Sequence, residues 1–369
     1  MTTIGKDMKA SISRRDFLKY SAAAGFGLVA IRPNRDWLQP VAEIPLGERI
    51  GRICVGSVNM RARPSADAAV VGKLYQDQLV QWNRDIIGEL PAGLMNRNWV
   101  ETPNGYIYAG SVQPVKNIPN QPITTLPANE TEKGMWVEVT VPMADLSIEN
   151  PPARGTWIDA VPVPRIYYSQ VIWVDDVRTT SDGKVQYRIN EKYGNPGDIF
   201  WAAAEAFRPI TSEELEPISP DVVEKRVDVS IANQTLSCYE GNREVYFCRI
   251  SSGAKYDADG TAVDNWKTPP GPHPIWRKLL SIHMAGGQTG NGWDTLGIAW
   301  TCLFSGDGVA IHSTFWHNNY GMPVSHGCVN AFPEDAKWIW RWTTPNVAYY
   351  PGDLTVSMPG GTIVNVIDG

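Results

Sequence analysis

Hydrophobic and polar residues alternate with a period of two along 227–231, and this pattern predicts a half-buried strand. The turn Glu-Gly-Asn-Arg at 240–243 and the apolar run 245–250 predict a hairpin partner for the strand that precedes the turn. A hairpin drawn symmetrically about this turn sets Cys238 opposite Val245. A further short apolar run, 308–312, predicts a strand that delivers His312 at its end.

Helical spacing replaces this alternation between Pro333 and Trp342, where apolar residues fall at 336, 339 and 340. Glu334 and Asp335 suit the positive end of the dipole of such a helix. Phe332 precedes the helix and has no side-chain oxygen that could accept the free N–H groups. The sequence therefore predicts one poorly capped helix, with Trp338, Trp340 and Trp342 packing in the core or at an interface.

Two earlier segments also show short apolar runs separated by turn residues. Residues 51–116 indicate a small barrel of antiparallel strands. After a Pro-rich linker, 118–126, the runs 167–174 and 185–189 flank the turn Ser-Asp-Gly-Lys and predict a hairpin, with a third strand at 198–202. The chain is therefore expected to be mainly β, built from several modules.

Composition limits the functions that this architecture can serve. The 369 residues are enough for two or three domains, each with its own core. The net charge is −6 and no basic run follows the amino terminus, so a nucleic-acid partner is not supported. Fifteen Trp and 28 Pro with short apolar runs favour β modules over helical bundles.

Candidate chemistry concentrates in residues 310–330, which hold His312, His317, His326 and Cys328. Cys328 is expected in an exposed loop ahead of the predicted helix. A free thiol has a pKa of ~8.5, and a nearby histidine or helix end must assist it near neutral pH. Either His312 or His326 could supply the base, and the backbone around Gly327 could form an oxyanion hole.

Two other interpretations compete with a catalytic thiol. A buried cysteine is usually an inert core residue. The three histidines and Cys328 could also ligate zinc, although their spacing matches none of the tight ligand pairs of zinc sites. The spacing therefore disfavours zinc, and His273 and His283, which have no motif position, are read as structural.

The order of residues in this stretch resembles the signature of the L,D-transpeptidases, in which a His is followed after a gap by Ser/Thr-His-Gly-Cys-apolar-Asn. Here it stands as His312, then Ser325-His326-Gly327-Cys328-Val329-Asn330, with twelve residues (313–324) in between, a shorter gap than is usual in that family. The resemblance implies Cys328 as acyl-forming nucleophile, His312 as general base and the Ser313 carbonyl as the group that orients this base.

The same resemblance implies further roles. The backbone of His326, Gly327 and Cys328 would donate to the oxyanion, and Asn330 would support the loop. Ser325, Asn330 and Trp316 are expected to contact substrate, Trp316 as a wall of the cleft.

The likeness extends beyond the motif. Residues 225–368 resemble an L,D-transpeptidase-type β-sandwich catalytic domain. The run Val-Asn-Met-Arg-Ala-Arg-Pro at 58–64, followed by Val-Gly at 71–72, Trp-Val at 99–100 and Gly-Tyr-Ile at 105–107, is similar to bacterial SH3-like domains and extends over most of residues 51–116. Residues 135–215 are read as a second, diverged SH3-like β domain. Such modules imply binding to the cell wall, or a role as spacers.

Residues 1–32 resemble a twin-arginine export signal. Arg14 and Arg15 precede an apolar run of about twelve residues, which is too short to cross ~30 Å of hydrocarbon as a helix. An extracytoplasmic location in the cell envelope is therefore expected. The remaining cysteines, Cys54, Cys238, Cys248 and Cys302, have no spacing that forces a disulfide.

Together these features predict an exported peptidoglycan L,D-transpeptidase that acylates Cys328 with a stem peptide and passes the acyl group to an acceptor amine. Two alternatives remain open at this stage. The same acyl-enzyme could be hydrolysed, as in an L,D-carboxypeptidase. The chain could also be a non-catalytic scaffold that binds the cell wall through its SH3-like parts.

Overall fold

The computed structural model describes residues 49–89, 96–155, 158, 161, 163–194, 197–255, 261–263, 266–286 and 293–368. Strands dominate these residues, and the mainly β fold expected from the sequence is confirmed. The export signal expected at 1–32 lies outside the described residues. No helix in the described ranges is long and apolar enough to cross a membrane.

The first β module comprises residues 50–115. Its eight strands are β1 (Ile50–Ile53), β2 (Ser57–Arg61), β3 (Val70–Tyr75), β4 (Leu79–Gln81), β5 (Arg84–Ile87), β6 (Asn98–Thr102), β7 (Gly105–Tyr108) and β8 (Val112–Val115). They form a three-stranded sheet in the order β4-β1-β8 and a five-stranded sheet in the order β3-β2-β7-β6-β5. All four residues of β1 are buried, including Arg52.

The second β module comprises residues 135–209. Its strands are β9 (Met135–Val139), β10 (Met143–Asp145), β11 (Ser147–Ile148), β12 (Arg165–Tyr167), β13 (Val171–Thr179), β14 (Val185–Ile189), β15 (Phe200–Ala203) and β16 (Phe207–Pro209). The expected hairpin is present as β13 and β14, with β15 beside β14. The order of its six-stranded sheet is β11-β15-β14-β13-β9-β16.

The carboxy-terminal sheet holds the remaining ten strands and the candidate chemistry. They are β17 (Lys225–Ser230), β18 (Thr235–Glu240), β19 (Arg243–Ser251), β20 (Gly271–Pro274), β21 (Arg277–Gly286), β22 (Trp293–Leu303), β23 (Ala310–Ser313), β24 (Val329–Ala331), β25 (Asp353–Thr355) and β26 (Ile363–Ile367). The order is β20-β26-β17-β18-β19-β24-β23-β22-β21-β25. Val227 and Val229 are fully buried, as the alternation in β17 predicts.

The hairpin of β18 and β19 departs from the symmetric register expected for it. Cys238 pairs with Tyr246 instead of Val245, because a bulge shifts the register between Cys238 and Tyr239. All five cysteines are free thiols.

The helix α1 (Pro333–Trp342) has the predicted bounds, and Phe332 makes no capping hydrogen bond. Its carboxy-terminal end is held by lysines instead. The Lys278 amine donates to the carbonyls of Trp340 (2.5 Å) and Thr343 (2.6 Å), and the Lys225 amine donates to that of Trp342 (2.9 Å). These cations lie at the negative end of the helix dipole, where positive charge is stabilising.

The second β module and the carboxy-terminal sheet share one hydrophobic core. Trp136 and Trp173 belong to the same buried cluster as Trp300, Ile311 and Trp340. Trp136 also donates hydrogen bonds to Tyr349, from its backbone N to the hydroxyl (2.9 Å) and from Nε1 to the carbonyl (3.1 Å). The strands of the carboxy-terminal sheet therefore pack on side chains from both parts of the chain.

A buried ionic cluster joins the same two parts. The ring of His283 donates to Glu191 and to Asp294, each at 2.5 Å. Burial alone would lower the pKa of His283, but the bonds to Asp294 and Glu191 outweigh it and raise the pKa to about 9. From the sequence we expected only a general structural role for His283, because its partner Glu191 lies 92 positions away.

Because His283 is charged in this cluster, we expect the protein to lose stability in alkali. Because the pKa of His283 is raised from 6.5 in the unfolded chain to about 9, its contribution is complete below pH 6.5 and is lost as the pH rises through 9. Unfolding by urea between pH 6 and 10 should show a loss on the order of 3 kcal/mol. His283→Gln should remove most of that slope, and equal slopes for the two proteins would contradict the assignment.

Candidate active site

Two adjacent parallel strands bring the expected base and nucleophile together. Strand β23 pairs with β24 so that Ile311 lies beside Val329 and His312 beside Asn330. Ile311 and Val329 point into the core, so the alternate residues point to the opposite face. Cys328 immediately precedes β24 and is two residues from Asn330, which places it diagonal to His312 on that face.

His312 is held in a defined tautomer. Its side chain is buried, and Nδ1–H donates to the carbonyl of Ser313 at 2.8 Å. A carbonyl can only accept, so Nε2 carries the lone pair that a general base needs. Burial lowers the pKa of His312 to about 4, although the bond to Ser313 opposes this. The ring is therefore neutral at pH 7, and the backbone contact is the one that the motif implied for Ser313.

Cys328 is half-buried, where the sequence led us to expect an exposed loop. It packs against the cluster of Leu279, Leu303 and Ala310, and its Sγ donates a long contact of 3.9 Å to the Gly308 carbonyl. Burial raises the pKa of this thiol to about 11, against the opposing effect of a backbone hydrogen bond from Ala310. The apolar surroundings thus disfavour the thiolate in this state, so the assistance that the thiol needs near neutral pH has to come from a base.

The dipole of α1 cannot offset the effect of burial on the pKa of Cys328. Strand β24 separates Cys328 from the first residue of α1, Pro333, and an extended strand advances ~3.3 Å per residue. The dipole acts mainly within the first turn of a helix. The resting site is therefore a neutral thiol beside a neutral imidazole.

The loop that carries the cysteine is fastened by one hydroxyl. Ser325 Oγ donates to the Cys328 carbonyl at 2.5 Å and accepts from the Gly327 N–H at 3.1 Å. Thr268 Oγ1 donates to the Gly327 carbonyl at 2.8 Å. Gly327 has φ of +124°, a conformation that L side chains rarely adopt.

These bonds alter two expectations from the motif. The Gly327 N–H is already committed to Ser325, so it is not an available oxyanion donor in this state. The Ser325 hydroxyl, expected to meet substrate, is buried and occupied within the loop. We retain the backbone N–H of Cys328 as the candidate donor.

The role of Ser325 can be tested by Ser325→Ala. The change removes both loop bonds of the hydroxyl, and the loss of one buried hydrogen-bonding group typically costs about 1–3 kcal/mol. We expect a lower free energy of unfolding by that amount in urea titrations. Ser325→Thr retains a hydroxyl and should keep most of the stability, so equal losses for the two variants would refute the fastening role.

The other predicted site residues lie around this centre. The half-buried ring of Trp316 is 5.8 Å from the ring of His312, which suits a wall of the cleft. His326 packs edge-on against Trp266 at 4.2 Å, and burial lowers the pKa of His326 to about 4. Asn330 is buried inside β24, and its Oδ1 has no hydrogen-bond partner in the described residues.

His317 also lies at the site, although the motif assigns it no role. Its Nδ1 accepts from the Asn319 N–H at 3.1 Å, so the proton lies on Nε2. Burial, with a smaller effect from nearby His312, lowers the pKa of His317 to about 3. The ring is neutral and fully enclosed, and only its position five residues after His312 could have pointed to it.

The zinc interpretation finds no geometric support in the described residues. Within them, no group of three or more His, Cys, Asp or Glu side chains is arranged to hold a metal ion. Two of the four suggested ligands have Nδ1 occupied by backbone groups, at Ser313 and Asn319. The arrangement suits proton transfer between a thiol and an imidazole instead.

One family model matches the part of the chain that holds this site. Residues 224–366 match the family model YkuD, the L,D-transpeptidase catalytic domain. The match is confined to the carboxy-terminal part of the chain, which is similar to L,D-transpeptidase catalytic domains. No curated protein matches the sequence.

Several solved structures are similar to part of the chain. A crystal structure of Enterococcus faecium L,D-transpeptidase with a Cys-to-Ser substitution is 20% identical, with a TM-score of 0.30, over 40% of this chain and 51% of that chain. An L,D-transpeptidase from Mycobacterium smegmatis is 18% identical, with a TM-score of 0.30, over 50% of this chain and 90% of that one. The E. faecium catalytic domain acylated by ertapenem is 22% identical, with a TM-score of 0.28, over 39% of this chain and 98% of that one. The chain therefore spans about half the length of the first E. faecium chain that it matches.

Proposed function

We propose that this protein is an exported peptidoglycan L,D-transpeptidase that forms an acyl-enzyme on Cys328. The proposal rests mainly on one observation. In the parallel pairing of β23 and β24, His312, with its tautomer fixed by Ser313, lies beside the strand that Cys328 immediately precedes. The family match of residues 224–366 supports the same reaction class.

The first half-reaction begins from neutral groups. His312 Nε2 accepts the thiol proton as Sγ of Cys328 attacks the carbonyl after the L-centre of an L,D peptide bond in a stem peptide. A C–S bond forms and the carbonyl π electrons move to oxygen. Collapse of this intermediate breaks the C–N bond, and protonated His312 passes its proton to the departing amine of the terminal D-residue.

The second half-reaction runs the same steps in reverse with a new amine. The acceptor amine of another stem peptide attacks the thioester and gives its proton to His312 Nε2. The new C–N bond forms, the C–S bond breaks, and the thiolate recovers the proton. The product is a cross-link between two stems, and no metal or organic cofactor takes part in these steps.

Charge on the carbonyl oxygen needs donors that are free when it develops. We assign this role to the backbone N–H of Cys328, the residue that carries the attacking sulfur, since the Gly327 N–H is bound to Ser325. Trp316 lies beside His312 and would form the wall against which the stem peptide lies. Asn330 would support the loop of Cys328 from its position within β24.

The amino-terminal parts fit an envelope protein in this proposal. The first β module would be the SH3-like domain and the second a diverged relative, and either could hold the chain on the cell wall. Residues 14 and 15 would direct export by the twin-arginine route.

Export can be tested with Arg14→Lys combined with Arg15→Lys. We expect the variant to remain in the cytoplasm with an unchanged fold, because the pair precedes every described strand. The measurement is the distribution of full-length protein between cytoplasmic and envelope fractions. Normal export of the double variant would reject the twin-arginine route.

The reaction itself can be tested by weighing products. The purified protein is incubated with a stem tetrapeptide, with and without a second peptide that offers a free amine. A transpeptidase yields a cross-linked dimer only when the acceptor is present. Hydrolysis to a tripeptide in both tubes would make the protein an L,D-carboxypeptidase, and unchanged peptide in both would favour the non-catalytic scaffold.

A further inference from the structure

A buried arginine of the first β module reaches the segment between the two halves of the motif. Arg52, in β1, is only 2% exposed. Its Nη2 donates to the carbonyl of Phe315 at 2.8 Å, across 263 positions of sequence. Nε and Nη2 both donate to Gln113 Oε1, at 3.0 and 2.8 Å, and Nη1 donates to Asp77 at 3.0 Å.

The second β module completes this junction. The Arg52 guanidinium lies 3.9 Å from the ring centre of Tyr167, and that ring stacks on Phe315 at 5.5 Å. Asp77 also accepts from Arg165 of β12 at 3.0 Å, so the charge network spans both modules. Arg52 therefore contacts all three parts of the chain.

A second set of contacts holds the same segment four residues later. The Asn319 side-chain oxygen accepts from the Tyr108 hydroxyl at 2.6 Å and from Asn96 at 3.1 Å. The backbone N–H of Asn318 donates to the Gly110 carbonyl at 3.1 Å. A Cβ at Gly110 would lie 2.8 Å from the Asn319 oxygen, so this close approach requires glycine.

Between these two points of attachment lie Trp316 and His317. The Trp316 ring meets Phe315 edge-on at 5.0 Å and lies 5.8 Å from His312. Displacement of the Phe315 carbonyl would thus shift the ring that flanks the base. A misplacement of ~1 Å at a reacting centre can cost ~100-fold in rate.

We propose that Arg52 is a positioning residue for the active site, acting through Phe315 and Trp316 on His312, so that the first β module is required for full acylation of Cys328. This inference rests on the proposed function. Buried ion pairs contribute little net stability compared with apolar residues, and they can serve instead to fix geometry. The fork of an arginine can hold Gln113, Asp77 and the Phe315 carbonyl together, whereas a lysine amine cannot span them.

The test compares Arg52→Lys with Tyr108→Phe and with a matched control, Arg84→Lys. Arg84 lies in the same module, but it is largely exposed and pairs with Glu101 away from the segment. For each folded protein, the rate of covalent modification by a carbapenem is measured as a function of the carbapenem concentration. The temperature is kept well below that of unfolding. Hydrogen exchange of residues 314–320 is measured on the same samples.

We expect Arg52→Lys to lower the limiting acylation rate by ~10-fold or more, with a smaller effect on the half-saturating concentration. Tyr108→Phe should lower it by a few fold, and both should speed exchange in 314–320. Arg84→Lys should match the parent. A purely structural role would lower the unfolding temperature without changing the limiting rate of the folded protein.

Two results would overturn the proposal. One is exchange in 314–320 that is the same in Arg52→Lys, Tyr108→Phe and Arg84→Lys. The other is faster exchange with an unchanged limiting rate. If Arg52→Lys does not fold, Tyr108→Phe decides by the same criteria. A parent protein that no carbapenem or stem peptide acylates refutes the proposed function, whereas the exchange comparison still tests whether the module holds the segment.

Discussion

Cys328→Ala will abolish covalent modification by a carbapenem, an acylating class that the family resemblance suggests as a probe. Acylation needs a sulfur nucleophile at the position where β23 and β24 meet, and alanine offers none. We expect the mass of the variant to remain unchanged after an incubation that fully modifies the parent. Turnover of a stem peptide should fall to the uncatalysed background.

The other four cysteines provide the control for this result. All four are buried, whereas Cys328 is half-buried, and burial also raises the pKa of each thiol, to about 11 for Cys54 and further for Cys238 and Cys248. Cys302 is also buried, where its sulfur meets Thr343 at 3.7 Å. Cys302→Ala should therefore keep full labelling, and modification that persists in Cys328→Ala would contradict the site assignment.

His312→Ala will slow acylation of Cys328 by ~10²–10⁴-fold, the usual value of general-base assistance. The effect should lie near the upper end, because the pKa of the Cys328 thiol is about 11 and little thiolate is present without a base. The measurement is the single-turnover acylation rate as a function of pH. In the variant, the rate should rise with pH up to about 11 as the thiol ionises by itself.

The parent should behave differently with pH. Burial lowers the pKa of His312 to about 4, so the base is already unprotonated at neutral pH. The parent rate should therefore be flat from about pH 5 to pH 10 and fall only in acid, near the pKa of His312. A midpoint near pH 6.5 would show that a solvated histidine, not buried His312, supplies the base.

His326→Ala is the comparison that separates the two candidate bases. Its ring packs against Trp266, so its loss should lower stability together with the acylation rate. Thermal unfolding is measured beside the rate for both variants. The roles would be reversed if His312→Ala reacted at the parent rate while His326→Ala was slow and equally stable.

Local patterns in the sequence were sufficient for the elements that carry the site. Alternation predicted β17, and the helix from Pro333 to Trp342 was predicted with its bounds and its missing cap. The contact of His312 with the Ser313 carbonyl follows from the motif, because the two residues are adjacent in the chain. Such features depend on neighbours in sequence.

Features that depend on distant residues were not accessible in the same way. The raised pKa of Cys328 follows from packing against Leu279 and Leu303, which lie on other strands. The His283 cluster needs Glu191 from the second β module. A hairpin bulge at Cys238 also left no local signal.

Arg52 is an instructive intermediate case. It interrupts an apolar run in β1, and a charged residue inside a fully buried strand requires partners. The sequence therefore contains a sign that something binds this side chain. Only the fold identifies Phe315, in the middle of the motif, as one of those partners.

The acyl-enzyme itself offers the most direct test of the proposed reaction. The protein is mixed with a stem tetrapeptide, quenched in acid within one turnover, digested with trypsin and analysed by fragmentation mass spectrometry. Trypsin releases residues 279–337 as one peptide that contains both Cys302 and Cys328, so fragmentation must assign the modified residue. We predict an added mass equal to the tetrapeptide minus its terminal D-amino acid, located on Cys328. The same mass on Cys302, or stem-peptide turnover without any adduct on Cys328, would contradict the account.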